Sequence, residues 1–379
     1  MGPWSVEFAL PNKSVSEKLN PSGSALHFIH AMLATDPYLS VPHKLISDMD
    51  PVTHGLIGAS VSAVSAHQTQ LRSAALVGAI AAMLPDLDVL IQSQTDPLLQ
   101  LEYHRQFTHA LVFLPLGALV AALVSWWIVK KRLTFRQTYW YSLIGMSTAG
   151  LVDVMTSYGV QWFWPFTDER VAWNVISVFD PWCSLGVLGY LVWSLYRQKR
   201  TYAGWALGWA SLFFLFGWIQ QDRATSIAQE LARSRAHHVE QLTVKPTIAN
   251  QMLWSVRYVH NDTLFADAVR LLPFSDLQIY SGTSTPLLDP AKEFQTYRGS
   301  VLYEDLQRFA DLSDQILIRH PDDPQVIGDG RYALLPTSIQ PLWGIRIDTT
   351  RPEQHVAFET FRDASPEVRQ QYFELLLGN

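Results

Sequence analysis

Apolar residues crowd the chain from 52 to 220 and thin out from 222 to 379, where charges recur throughout. A helix that crosses a bilayer needs about 20 mostly apolar residues. "HALVFLPLGALVAALVSWWIV" (109–129) has that length and is closed by "KKR" (130–132). "QTYWYSLIGMSTAGLVDVMTSYG" (137–159) and "YAGWALGWASLFFLFGWIQ" (202–220) are further candidates. "SLGVLGYLVWSLY" (184–196), closed by "RQKR", is short unless it begins near Val178. Two weaker segments precede these, "GLIGASVSAVSA" (55–66) and "SAALVGAIAAMLPDLDVLI" (73–91). Their Ala, Gly and Ser suit close helix contact in lipid. The pattern predicts a mainly α membrane bundle of about six helices.

Beyond residue 222 the periodicity changes. "DRATSIAQELARSRAHHVE" (222–240) reads as a helix leaving the membrane. "WSVRYVHNDTLFADAVRLL", "DLQIYSGTS", "VIGDGRYALLP" and "LWGIRID" read as strands joined by turns. "DLSDQILIRH" fits helix or strand, and "TDERVAWNVISVFDP" reads as a loop over the outer surface. The expected organisation is a transmembrane helical domain over 49–221 and a smaller, strand-rich α+β extramembrane domain over 222–379. Residues 1–48 carry no sustained apolar run and no basic-then-apolar signal pattern. They read as a disordered upstream extension, with Met49 of "MDPVTHGLIGA" as the biological start.

The mean hydropathy of +0.06 blends these unlike parts. A net charge of −6 leaves no overall basic field for nucleic acid. A single cysteine, Cys183, excludes a disulfide framework and a thiolate zinc site. Charge also orients the helices. Arg72, Lys130–Arg132 and Arg197–Arg200 fall in alternate loops, which the positive-inside rule puts in the cytoplasm. The opposite ends then face outward, and they carry His54, Asp86, Asp88, His104, His109, Asp153 and Asp180, with Arg105 among them. Any one of these could be a helix cap or a solvated end. Seven on one face point to a metal site, because ionisable groups near a membrane are costly and usually have a job.

His104 and His109 are five apart, about 140° on a regular helix, so His104 is expected in the loop and His109 in the first helical turn. Thr108 is a candidate N-cap or outer support for a ligand. Pro85 disturbs the helix before Asp86 and Asp88, and an irregular turn could aim both at one ion or at two. Oxygen and nitrogen ligands without sulfur fit zinc, manganese or magnesium, and histidine favours zinc. A divalent metal lowers the pKa of bound water to about 7 and polarises a phosphoryl oxygen. Arg105 could clamp a phosphate or carboxylate, or anchor at the headgroups. His237 and His238 diverge by about 100° and read as surface residues. Asp329, Arg331 and Tyr332 read as a structural turn.

Taken together, "MDPVTHGLIGA", "PDLD", "HRQFTHA", "LVDVMTSYGVQWFWPFTDERVAWNVISVFDP" and "DGRYALLP…LWGI" resemble the YdjM-type family of inner-membrane metal-dependent hydrolases. The likeness runs from Met49 to near the C-terminus. It implies a multi-pass inner-membrane protein with functional residues at His54, Asp86, Asp88, His104, Arg105, His109, Asp153 and Asp180. Two departures stand out. Gln106 replaces the glycine of His-Arg-Gly-x-Thr-His, and Ala149 stands where a histidine would share a helix face with Asp153. The wider group is similar to zinc-dependent phospholipase C and P1-type nucleases, which implies phosphoester hydrolysis by fold-level analogy.

The expected function is a membrane-bound hydrolase acting at the outer face of the inner membrane on a phosphoester, with phospholipid a candidate, through metal-activated water. Asp86, Asp88, His104, His109 and Asp153 are the expected ligands. His54 is expected as ligand or general base, Arg105 as an active-site cation, and Thr108 and Asp180 as supports. Membrane lipids are the expected surroundings, and the C-terminal domain is expected on the extracytoplasmic side. The alternative is a non-catalytic, metal-stabilised scaffold whose outer domain binds a partner, which Ala149 favours. A metal transporter fits less well, because transport sites usually sit near the midplane.

Overall fold

The computed structural model describes residues 51–272, 277–362 and 364–378. The expected upstream extension and start at Met49 lie outside the described residues.

The apolar half forms helices α1 (Pro51–Ser65), α2 (Leu71–Met83), the short α3 (Leu99–Tyr103), α4 (Leu114–Val129), α5 (Phe135–Met155), α6 (Pro181–Arg197) and α7 (Arg200–Ser234). Local chemistry sets several starts. Thr134 and Gln137 form a reciprocal capping box ahead of α5. Asp180 accepts from the backbone N–H groups of Trp182 and Cys183 ahead of Pro181, the first residue of α6. Among the described residues, three helical runs are long and apolar enough to cross a membrane: Gln68–Leu90, Leu111–Val129 and Arg200–Ser234.

The packing is the inverse of a water-soluble bundle. On α4, Ala118, Ala121, Ala122 and Ser125 are buried, while Leu116, Leu123, Val124, Trp127 and Ile128 are exposed. On α7, Ala203, Ala206 and Ala210 face in and Trp205, Leu212, Leu215 and Ile219 face out. Large apolar side chains outside and small ones between helices suit a lipid solvent. The backbones of α1, α2 and α5 approach closely at two glycines. A Cβ on Gly78 would lie 2.2 Å from Ser62 Oγ and 2.3 Å from the Gly58 carbonyl oxygen, and one on Gly145 would lie 2.6 Å from the Gly78 carbonyl. Only glycine lets the backbones meet there.

Helix α7 continues past the expected boundary at 221. Ala224, Ala228 and Ala232, one turn apart, pack on Trp254, Val256, Tyr258 and Val269 of the first sheet. That antiparallel sheet runs β1 (Gln241–Pro246), β2 (Leu253–His260), β3 (Thr263–Arg270) and β4 (Gln278–Tyr280), with β5 (Ser284–Pro286) also on β3. The β2–β3 hairpin turns through Asn261 and Asp262, both at positive φ (50° and 53°), as a tight two-residue turn demands. The second sheet, also antiparallel, orders β6 (Leu317–His320), β7 (Asp323–Asp329), β8 (Trp343–Arg346) and β9 (Ala357–Thr360). Three helices accompany the sheets: α8 (Pro290–Glu293), α9 (Val301–Leu312) and α10 (Pro366–Leu377). A helical region followed by a strand-rich domain is thus the observed order. "DLSDQILIRH" resolves into the end of α9 and then strand β6.

The strand-rich domain also holds part of the membrane region's connecting chain. Leu98, beside α3, is buried in a core with Leu288, Phe294, Leu302, Leu306 and Phe309. Arg308 on α9 pairs with Asp96 (2.9 Å), Glu102 (2.6 Å) and Asp305 (2.8 Å). The segment that leads to His104 is therefore clamped by the strand-rich domain.

Candidate metal centre

Four chain segments deliver side chains to one buried cluster. His54 sits in the first turns of α1, and Asp86 and Asp88 lie in a 3₁₀ turn (Pro85–Leu90) that follows α2. His104, Arg105, Thr108 and His109 occupy the irregular stretch between α3 and α4, and Asp153 lies near the end of α5. Proline at 85 opens the tight turn, as its missing N–H and fixed φ allow. His54, Asp86, Asp88, Arg105, His109 and Asp153 are each at most 3% exposed.

Two layers can be distinguished. Ligand atoms of His54, Asp86 and Asp153 lie within 4.8 Å of one another. His54 Nε2 is 3.2 Å from Asp153 Oδ1, and His109 Nε2 is 3.0 Å from Asp153 Oδ2 and 3.6 Å from Asp86 Oδ1. Around this, Asp88 organises its neighbours. Its Oδ1 accepts from His104 Nδ1 (2.8 Å), and its Oδ2 accepts from the backbone N–H of Arg105 (2.8 Å) and the Thr108 hydroxyl (2.7 Å). The Thr108 oxygen is 3.0 Å from His109 Nδ1. Since its proton is given to Asp88, it accepts from Nδ1–H, and the Nε2 lone pair of His109 is left facing the carboxylates.

The inner atoms are close but badly placed to bond one another. Both oxygens of Asp86, both of Asp153, His54 Nδ1 and His109 Nε2 are buried without a hydrogen-bond partner. The short ion-pair distances and this lack of hydrogen bonds conflict only superficially, because the contacts have reach without the required angles. Three buried carboxylates, Asp86, Asp88 and Asp153, share the cluster with one buried guanidinium, Arg105, whose Nη2 is 2.9 Å from Asp153 Oδ1. Buried carboxylates in such excess are costly unless a cation offsets them. Ligand bonds of about 2.0–2.2 Å to a tetrahedral zinc put donor atoms roughly 3.3–3.6 Å apart, near the spacings seen here. The residues present therefore fit a divalent cation on three observations: spacing, unpartnered donor atoms and charge.

Arg105 lies inside the cluster, so the headgroup-anchor alternative is set aside. Its backbone adopts φ 57°, its Nη1 donates to Thr156 Oγ1 (3.2 Å), and it lies 5.6 Å from the Tyr158 ring centroid. The left-handed conformation falls at Arg105 and not at Gln106, so replacing the glycine at 106 costs no backbone strain. Asp180 caps α6 and lines the same cavity as His54, Arg105, Asp153 and Cys183. Ala149 is buried one turn before Asp153 and offers no ligand, while His54 and His109 supply the imidazoles beside Asp153. The cavity is about 10 Å³, room for one water. Sequence reasoning missed Thr156 and Tyr158. A hydroxyl three residues after Asp153 was the available signal for Thr156; nothing local marked Tyr158.

Elsewhere, His237 stacks on His260 at 4.5 Å and lies apart from any ligand group. A second acidic group, Asp96, Asp305 and His355, is spanned by the Arg308 ion pairs and reads as a salt-bridge network.

Residues 49–224 match the YdjM inner membrane protein family. The chain is 36% identical over 107 residues to inner membrane protein YbcI of Escherichia coli (strain K12), covering 27% of this chain and 60% of that protein. It is 22% identical over 216 residues to uncharacterized protein YfhP of Bacillus subtilis (strain 168), covering 53% of this chain and 62% of that one. The chain thus spans about three fifths of each curated relative. No solved structure matches it significantly. Residues 49–224 are thus similar to the YdjM inner membrane protein family, a match that takes in the first four motifs and stops before "DGRYALLP…LWGI".

Proposed function

We propose that this is a multi-pass inner-membrane protein that holds a divalent metal, most simply zinc, and hydrolyses a phosphoester, with phospholipid the leading substrate class. The observation that carries the metal reading is the buried, unpartnered donor set of His54, Asp86, His109 and Asp153. In this reading His54, Asp86, His109 and Asp153 hold the ion. When bound, a divalent metal supplies Lewis acidity and lowers the pKa of water. Asp88 fixes His104 and Thr108, and Thr108 fixes the tautomer of His109. Arg105 lends positive charge next to the donors, where an anionic oxygen would gain from it.

The hydrolytic step rests on the donor chemistry and on the resemblance to helical phosphoesterases. Topology follows from charge. Arg72 donates to the Leu195 carbonyl (3.2–3.3 Å), so two basic loops meet at the bundle end remote from the cluster. That end is assigned to the cytoplasm, and the cluster and strand-rich domain to the outer side.

A second reading keeps the metal and drops the reaction: a scaffold braced by an ion. The small cavity favours it, since 10 Å³ admits no ester without opening. One assay separates the two. Full-length protein in detergent is offered bis(p-nitrophenyl) phosphate and phospholipid, with Asp153→Asn and a chelator as controls. The hydrolase reading expects turnover that both controls abolish. Bound metal without turnover selects the scaffold, and turnover that survives Asp153→Asn removes this site from the chemistry.

A further inference from the structure

A larger cavity, about 170 Å³, lies where the loop after α5 meets the strand-rich domain. On the measure by which 10 Å³ admits one water, it has room for several. Its walls include Tyr158 and Arg170 from the loop, Lys245 from β1, and Arg331 and Tyr332 following β7. We propose that this cavity binds a dianionic phosphate group, free or as a monoester, between Lys245 and Arg170.

Two cationic donor atoms there lack acceptors, Lys245 Nζ and Arg170 Nη1. Lys245 Nζ is buried without a hydrogen-bond partner and rests 3.2 Å from the Tyr332 ring centroid. Arg170 donates through Nη2 to the carbonyls of Leu101 (3.1 Å) and His104 (3.0 Å), while its buried Nη1 has no partner. The other charges are committed. Arg331 pairs with Asp329 (2.7 Å) and Asp314, and Arg257 donates to the carbonyls of Gly330 (2.6 Å) and Ser338 (2.5 Å). With Lys245 protonated, the lining cations Arg170, Lys245 and Arg331 against Asp314 leave a net of +2, which a dianion neutralises and a monocarboxylate does not. A lysine point charge beside an arginine fork is a common phosphate-binding pair. Burial, reinforced by Arg257, holds the Lys245 ammonium below the ordinary lysine range, and a bound anion would favour its charged form.

The pocket touches the His/Asp cluster through Tyr158 and Arg170. The Tyr158 ring lies 5.4 Å from His104 and 5.0 Å from the Arg170 guanidinium. The anion site nevertheless stands without the metal, and the experiment keeps them apart. Full-length protein in detergent, with chelator present and ionic strength fixed, is titrated calorimetrically with inorganic phosphate, glycerol 3-phosphate and acetate. Saturable binding of either phosphate is expected, with acetate far weaker. Lys245→Met and Arg170→Gln should each weaken it roughly tenfold to hundredfold, the loss of one charged hydrogen bond. Phosphate alone identifies the free ion as the source, and glycerol 3-phosphate alone identifies an ester. Amine acylation of Lys245 in the wild type, slowed by the ligand, gives a readout that needs no variant. Absent saturation by either phosphate, equal binding of acetate, or affinity untouched in a folded Lys245→Met overturns the proposal.

Discussion

Thr108 decides which nitrogen of His109 carries a proton. Its hydroxyl gives its hydrogen to Asp88 and receives one from His109 Nδ1, which aims the Nε2 lone pair at Asp86 and Asp153. Removing that hydroxyl frees the ring to adopt the other tautomer. Thr108→Val should therefore leave the fold intact and lower metal affinity about 10–100-fold, the usual effect of losing an outer partner of a ligand; competition with a chelator measures it. An unchanged affinity would mean that the imidazole is held by packing alone. At this scale the sequence marked the residues that the fold brings together, because charged groups beside apolar runs are conspicuous. It did not sort inner from outer residues. Asp86 and Asp88 are two apart and chemically identical, and only the turn that follows α2 sends one into the cluster and the other to His104 and Thr108. Lys245 was hidden for a related reason: β1 buries its last three residues in succession, so strand alternation says nothing of this lysine's burial.

Helix packing and the loop clamp govern how firmly those residues are held. Gly78 sits where α1 and α5 both press on α2. Gly78→Ala places a methyl against a backbone carbonyl that cannot yield, and should cost about 1–3 kcal/mol, as overpacking generally does; thermal unfolding in detergent reads this out. The apolar runs made the helices legible, and small residues made close contact legible, but not which glycines meet. The clamp on the segment before His104 was not legible at all, because Arg308 lies some two hundred residues from its partners and reads locally as a solvated helix charge. Its pH dependence has a definite sign. Burial would raise the pKa of Asp96, but the hydrogen bond and charge of Arg308 outweigh it and lower the pKa below the usual carboxylate value. A carboxylate with a depressed folded pKa stabilises above its unfolded value, about 3.9, and loses that contribution as pH falls through the folded one. Hydrogen exchange of residues 96–104 should thus be insensitive to the Asp96 contact from neutral pH down to about 4 and should speed up below it. Arg308→Ala should speed it at every pH.

At the scale of the whole molecule, α7 is the element that joins lipid to water, passing without a break from exposed Trp and Leu to the alanine face that carries the first sheet. A boundary drawn where the apolar run stops, at 221, cuts this single helix. Side of membrane is the open consequence, and the chain suits a direct test because Cys183 is its one cysteine and is buried. In a Cys183→Ser background, a cysteine at Lys131 should be shielded from an impermeant maleimide in intact cells, and one at Asn261 should react. Equal labelling of both would overturn the proposed orientation. The most direct measurement of the central claim is metal content. Full-length protein, purified in detergent without added metal or chelator, is compared with an Asp86→Asn/Asp153→Asn double variant by mass spectrometry of the elements. The account predicts about one divalent ion per wild-type chain, in keeping with a closed His/Asp site, and almost none in the folded variant. No stoichiometric metal in the wild type, or the same metal in both, would contradict it.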